Sequence, residues 1–369
     1  MHPEFVGILL NNSTYRRISS GRIGTESLSN YEEAAAIYGL VPCFFTIRHI
    51  SLETGEVTGF MPKRPYGYTR VRIPIPRAIH MRAIYSHRRE RSQIEDLIQH
   101  GFFVYNGRTR YGKDAIHRML EQDPEVTPAL PHTVKATAAS IRTMLHEYGD
   151  LVLKPCSGSV GVGIMRLRSS PPGGSLLTYS RSSPSAKGWR TVKLAAGNLH
   201  PLIFQRIRRA PFLAQERIPL AEYKGRPFDI RVTVQRGGSG AWEVAGMFAK
   251  TSPPRTFVSN IAQGGSAYQV PYILQNSLPD LPVPLMMKRI TEFSLHIAHV
   301  LSLFIPYAAD FGLDIGITAD GKLYFIECNG CDQRYGFLEA GMEEAWRTAY
   351  RNPMAFARYL YDHQAWPDY

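Results

Sequence analysis

Between Gly312 and Gly330 the chain reads GLDIGITADGKLYFIECNG, two alternating runs on either side of Asp320-Gly321. That dipeptide is the type I′ signal for a two-residue hairpin turn, which would pair Ala319 with Lys322 and set Asp314 directly opposite Glu327. Asn329 lies two residues beyond Glu327 and shares its face. The other face then reads Leu313, Ile315 and Ile317 against Tyr324, Ile326 and Cys328, a face built for burial. Two carboxylates opposed across a hairpin repel each other, and a divalent cation would give a reason for the arrangement. Oxygen donors of this kind suit Mg²⁺. A solvated face with incidental acids fits this stretch alone equally well. The metal reading carries a corollary: without its ion, one of the two carboxyl groups should have a raised pKa.

At 369 residues and 44% hydrophobic content the chain can bury a core spread over two or three subdomains. No apolar run reaches the length of a membrane span, since the best stretch, residues 297–309, is interrupted by His299, Ser302 and Pro306. No basic region followed by a long apolar segment marks a secretory signal at the start. Four cysteines make no disulfide framework and point to an intracellular, reducing compartment. Cys328 and Cys331 form one CxxC without the second pair or histidine that would complete a zinc site. The formal charge of +12 raises nucleic acid as a partner. Its arginines are dispersed, however, and no nucleic-acid motif accompanies them, so the charge serves anionic substrates and phosphates as well.

Read in order, residues 1–101 form an α/β unit. Strands run over 6–10 and 41–47, a helix opens at the capping box Ser29-x-x-Glu32, residues 63–76 make an irregular crossover, and a helix covers 89–100. A second unit, 102–212, opens with a short strand at 102–104 and a helix from Lys113. Strand Leu151-Val-Leu-Lys154-Pro155 follows, then Ser157-Gly-Ser-Val-Gly-Val-Gly163 and another strand. Glycines at this density let backbone N–H groups close over phosphates, although a Gly/Ser hairpin is often only a turn. The P-loop order and its following helix are missing. Residues 169–188 read as a Ser/Pro/Gly-rich surface excursion. The third unit, 213–369, holds strand FLAQERI, a DIR strand in which Asp229 and Arg231 point the same way, a polar loop VSNIAQGG and the hairpin. It also has a helix over 287–304 with Ile290, Phe293, Ile297, Leu301 and Phe304 on one stripe, and one or two terminal helices over 342–361.

Taken together, Lys113, Lys154 with its Gly-rich hairpin, Gln215-Glu216-Arg217-Ile218, the DIR strand, the GG loop and the Asp…Glu-x-Asn hairpin resemble the ATP-grasp superfamily over roughly residues 102–335. The run Asn352-Pro353 to Leu360 is similar to a trait of the YheC/YheD-type, endospore coat-associated members. The resemblance implies an α/β ATP-grasp fold: an N-terminal pre-ATP-grasp domain and two subdomains with the nucleotide between them. It implies that Lys113 and Lys154 contact ATP phosphates and that Ser157, Gly158, Ser159, Gly161 and Gly163 form the mobile phosphate loop. Gln215, Glu216 and Ile218 would meet the adenine edge and Asp229 the ribose. Arg231, with Lys250, Arg255 and Asn260, would neutralise the transferring phosphoryl group, and Asp314, Glu327 and Asn329 would hold two Mg²⁺ ions. Gln263 stands where many relatives carry an arginine, which shifts charge compensation toward Arg231 and Arg255.

The activity implied is a carboxylate–amine (or thiol) ligase. It would phosphorylate a small-molecule acid, such as an amino acid or peptide, and pass the acyl group to an amine. Its implied setting is the cytoplasm, with the mother cell or spore coat as the particular site. A coat protein that binds nucleotide without turnover and a nucleic-acid-binding protein are the rival expectations.

Overall fold

Alternating apolar strands and amphipathic helices at the start of the chain produce a first sheet. In the computed structural model, residues 4–20, 24, 26–63, 65, 67–85, 87–107, 109–158, 161–183, 186–254 and 256–366 are described. Strands Glu4–Leu9, Leu40–Phe45, Ala78–Met81 and Phe103–Tyr105 run parallel. Parallel neighbours need crossovers, and helices Leu28–Ile37 and Arg88–Gln99 supply two of them. The first helix begins earlier than Ser29: Ser27 is its cap, its Oγ accepting from the Asn30 N–H at 3.3 Å. Glu32 accepts instead from the Tyr68 hydroxyl.

The expected irregular crossover is half of an antiparallel hairpin, Glu56–Pro62 with Tyr68–Pro74. Pro62 and Pro74 stand at the ends of these strands, where a missing N–H costs little. Phe103–Tyr105, expected to open the second unit, closes the first sheet beside Ala78–Met81. The last helix, Glu343–Asp362, also belongs to this layer, burying Tyr350, Met354, Ala357 and Leu360 against Val6, Ile8 and Tyr31. The first core is therefore made by both ends of the sequence.

The second sheet is antiparallel, with Asp150–Pro155 between Phe212–Glu216 and Met165–Ser170. Helices Ala138–Tyr148 and Pro201–Arg209 cover it with Ile141, Met144 and Ile203. The supposed surface excursion is sheet too: Gly174–Ser183 and Ala186–Leu194 pair as a long hairpin at its outer edge. Thr178, Tyr179, Trp189, Thr191 and Val192 are good strand formers, and they outweigh the Ser/Pro/Gly content of the segment, of which residues 184 and 185 lie outside the described residues.

The third sheet sets Arg226–Arg236 between Trp242–Thr251 and Asp310–Ile317, with Leu323–Asn329 next. Helix Val283–Phe304 packs on it through Ile290, Ile297 and Leu301, as the stripe foretold, while Phe304 at its end is exposed. Helix Lys113–Leu120 buries Ile116 and Leu120 in this same core. Lys113 and Lys154 thus approach the centre of the molecule from different layers. Among the described residues, no helix is long and apolar enough to cross a membrane.

Candidate active site

The hairpin places its acids as expected, by a route the sequence did not show. Thr318 and Lys322 close a three-residue loop, with Gly321 in the left-handed region at φ 79° and its N–H donating to the Thr318 carbonyl at 2.9 Å. This is a type I turn followed by a left-handed glycine, so the expected two-residue turn is wrong by one residue. Ile317 faces Leu323 and Ile315 faces Phe325, so Leu323 and Phe325 enter the core in place of Tyr324 and Ile326. A bulge at Ile326 then restores the phase, and beyond it Asp314 pairs with Glu327 and Leu313 with Cys328. Asp314, Glu327 and Asn329 line one cleft together.

What balances the two acids is basic side chains. Arg231 lies opposite Asp314 on the adjacent strand and donates to it from Nε at 2.7 Å and Nη2 at 3.1 Å. Lys250 Nζ reaches Asp314 Oδ1 at 2.8 Å, and Lys113 Nζ reaches Glu327 Oε1 at 2.7 Å. Burial alone would push the Asp314 carboxyl up, but Arg231 and then Lys250 outweigh it and hold it well below the usual carboxylate range. The expected raised pKa is therefore not that of Asp314. It belongs to Asp229, pushed up to about 6 by burial and by the charge of Asp314, against the opposing pull of Lys250 3.0 Å away. Asp229 also accepts from the Ser259 hydroxyl.

Oxygen donors for a hard cation are present, but they are not a closed cage. Among the described residues, no three His, Cys, Asp or Glu side chains lie close enough to hold an ion. Asn329 Nδ2 donates to the Gly312 carbonyl at 3.4 Å, which turns its oxygen into an open acceptor beside Glu327. The set fits Mg²⁺, which Glu327, through the oxygen Lys113 leaves free, and Asn329 would hold together with phosphate oxygens, whereas both oxygens of Asp314 are already paired.

Of the residues expected at the nucleotide, Lys154, Gly161, Gln215, Glu216, Ile218 and Asp229 line the same cleft. Lys154 is buried, donating to Gln215 Oε1 at 2.8 Å, and burial pushes its pKa down to about 8. Gln215 in turn donates to Thr133 at 2.7 Å. Glu216 and Ile218 line the cleft, with the Glu216 carboxylate accepting from the His132 N–H at 2.8 Å and the Ile218 carbonyl from the Leu220 N–H at 2.9 Å. Gly161 lines it as well, while Gly158 lies on its far side near Lys113. Ser157 is exposed outside it, and the Gly163 carbonyl is taken by Arg206 at 2.7 Å. Ser159 and Arg255 lie outside the described residues.

A second cleft, bounded by Thr109, Arg110, Phe248, Cys331, Gln333 and Tyr335, meets the first at Arg231, Lys250, Asn260, Glu327 and Asn329. Cys328 and Cys331 border this junction as free thiols, and burial raises the pKa of both.

Sequence reasoning missed two supports. Asp332 is fully buried and accepts from Arg231 Nη1 at 2.8 Å and from the Thr233 hydroxyl. Gly312 makes room for it, since a Cβ there would stand 2.4 Å from Asp332 Oδ1. From the first layer, Arg82 Nη2 donates to the Asp332 carbonyl at 2.9 Å. Asn106, at φ 59°, ties both ends of the hairpin together, donating to the carbonyls of Asp310 at 2.7 Å and Gly330 at 3.0 Å. The Asn106-Gly107 pair was the available signal for a left-handed residue.

The sequence pattern described as YheC/D like ATP-grasp matches residues 102–360, most of the chain. This chain belongs to that family. Two Bacillus subtilis (strain 168) proteins are similar to it. Endospore coat-associated protein YheD is 25% identical over 86% of this chain and 70% of its own length. YheC is 20% identical over 81% and 82%. Among solved structures, the ATP-grasp ligase PsnB with a minimal precursor superposes with a TM-score of 0.55 at 15% identity, covering 97% of this chain and all of that one. D-cycloserine synthetase DcsG gives 0.55 at 11% identity over 96% and 98%. D-alanyl-alanine synthetase A from Vibrio cholerae gives 0.50 at 10% over 96% and 99%. The expected ATP-grasp fold is thereby borne out. Within it, the second and third sheets form the two walls of the Lys154 cleft.

Proposed function

We propose that this chain is an ATP-dependent carboxylate–amine ligase, with a thiol as the alternative acceptor, that works through an acyl phosphate and releases ADP and phosphate. The observation that carries this reading is the shared wall between the two clefts. A triphosphate lying along Lys154 in one cleft directs its terminal phosphate to Arg231, Lys250 and Asn260, where a carboxylate from the other cleft can meet it.

In the first step a carboxylate oxygen attacks the terminal phosphorus, the bond to the bridging oxygen breaks, and ADP leaves with the electron pair. In the second, the amine attacks the acyl carbon, phosphate departs and the nitrogen loses a proton. The chain does little covalent chemistry here, and its work is positioning and charge neutralisation. Lys113 and Lys154 bind phosphates, Arg231 faces the transferring group, and the apolar Val152, Ile164 and Ile326 exclude water around the base. Mg²⁺ at Glu327 and Asn329 would neutralise charge developing on the phosphate oxygens.

The names of structurally similar proteins support an amino acid or peptide as substrate: PsnB is complexed with a precursor peptide and AMPPNP, and DcsG is a D-cycloserine synthetase. The endospore coat association in the names of YheD and YheC supports a coat-related role and favours a second reading, nucleotide binding at the coat without turnover. A screen of amino acids and small peptides for ADP release from Mg-ATP separates the two. The ligase reading expects release that depends on one acid and one amine. No release with any pair, from a protein that still binds Mg-ATP by calorimetry, would refute it in favour of the second.

A further inference from the structure

The long hairpin at the outer edge of the second sheet has no part in the chemistry above, yet it touches the nucleotide cleft's far wall. Its returning strand, Ala186–Leu194, carries the half-buried Trp189. The Trp189 ring stands 5.0 Å from that of Phe257, with the planes at 65°, an edge-on aromatic contact. Phe257 comes from the third layer and lines the cleft, whereas Trp189 does not. The pair therefore spans the two lobes at the cleft's rim. Arg166, on the second sheet, places its guanidinium carbon 6.0 Å from the Phe257 ring.

A second approach lies further in. A Cβ on Gly161 would fall 3.1 Å from Val258 Cγ1 and 2.9 Å from Gln263 Nε2, so the glycine loop and the opposite loop are closely apposed. Residues 257–260 carry four cleft-lining side chains, including Ser259, which is bonded to Asp229. One wall of the cleft is thus held from the other lobe at two places, and nucleotide leaving past this rim must part both.

We infer that Trp189 is a positioning residue for the nucleotide: by packing on Phe257 it holds residues 257–260 against the cleft and slows nucleotide release. The inference rests on the nucleotide reading above. A merely structural tryptophan would steady the hairpin and leave release unchanged.

The test is stopped-flow release of a fluorescent ADP analogue, bound with Mg²⁺ and chased with excess ATP. Trp189→Ala should release it about 3- to 10-fold faster, the range a single aromatic pair supports, with association little altered. Trp189→Phe should restore release to within about twofold of wild type, because the ring contact survives. Trp189 is one of four tryptophans, and the nucleotide-induced change in intrinsic emission should shrink in Trp189→Phe while binding persists. In a double-mutant cycle with Phe257→Ala, removing Trp189 should add almost nothing once Phe257 is gone. Trp189→Leu, which stays apolar but loses the ring contact, replaces the alanine variant if that one does not fold and should likewise speed release. Unchanged release in Trp189→Ala, or in Trp189→Leu where that replaces it, or fully additive effects in the cycle, would overturn the inference and leave the ligase reading standing. Failure of the wild-type protein to bind the analogue would overturn both.

Discussion

Replacing Lys154 by methionine removes a buried ammonium whose pKa burial has pushed down to about 8 from an ordinary 10.5. At about 1.4 kcal/mol per unit, the protonated form is disfavoured in the free protein by roughly 3 kcal/mol. The folded pKa lies below the unfolded one, so stability rises as pH increases from about 8 to 10.5, and below about 8 both states hold the proton and that gain is absent. A nucleotide phosphate beside Nζ favours the charged form and returns the pKa upward. At pH 9 the free protein holds this proton in roughly a tenth of its molecules, so binding should draw in about 0.9 proton, against about 0.1 at pH 7. Calorimetric titration with Mg-AMPPNP at pH 9, in two buffers of different ionisation enthalpy, reads that number directly. Lys154→Met should bind about 10- to 100-fold more weakly, the value of a charge-assisted hydrogen bond, and should take up almost no proton. Equal uptake in both proteins, or none in a wild type that binds, would refute the placement of Lys154 at the phosphates.

Asp332→Asn should lower stability by about 3 kcal/mol, because it leaves the Arg231 guanidinium, its side chain only 13% exposed, with Asp314 as its remaining ion partner. Matching denaturant midpoints for the two proteins would count against this. His80 is buried beside Asp310 and held neutral by burial, its pKa lowered to about 4. Its folded pKa is below the unfolded value, so stability present above about pH 6.5 should decline by roughly 3 kcal/mol on acidification to about pH 4. His80→Phe should flatten that part of the stability profile, and an unchanged slope would show another group responsible. Glu327→Gln should retain nucleotide binding but lose turnover by at least about a hundredfold, since its oxygens act on charge that grows in the transition state. Parallel losses in affinity and rate would instead place Glu327 in ground-state binding.

The parts of the site legible in the sequence are those fixed by short-range patterning. Asp229 and Arg231 share a face because they are two residues apart in a strand, and Lys154 stands one residue from the end of the strand before the glycine loop. Asp320-Gly321 located the hairpin loop but not its length, since a left-handed glycine serves a two-residue and a three-residue turn alike. The one-residue slip should have sent Glu327 to the core face, and the bulge at Ile326 prevents this. The charge balance was hidden for a different reason. That Arg231 and Lys250 converge on Asp314 depends on which strands become neighbours, which no local pattern encodes. The same holds for Phe103–Tyr105 and the last helix, whose alternation marked them as strand and helix without saying which layer they join.

Activation of a carboxylate by phosphorylation from ATP has a direct isotopic test. The acid identified by ADP release is labelled with oxygen-18 in its carboxylate and turned over with Mg-ATP and the amine, and the released phosphate is weighed by mass spectrometry. Acyl phosphate formation predicts one labelled oxygen in each phosphate, ADP in equal amount and neither product with Glu327→Gln. Unlabelled phosphate accompanying ADP, at the same rate with or without the amine, would contradict it.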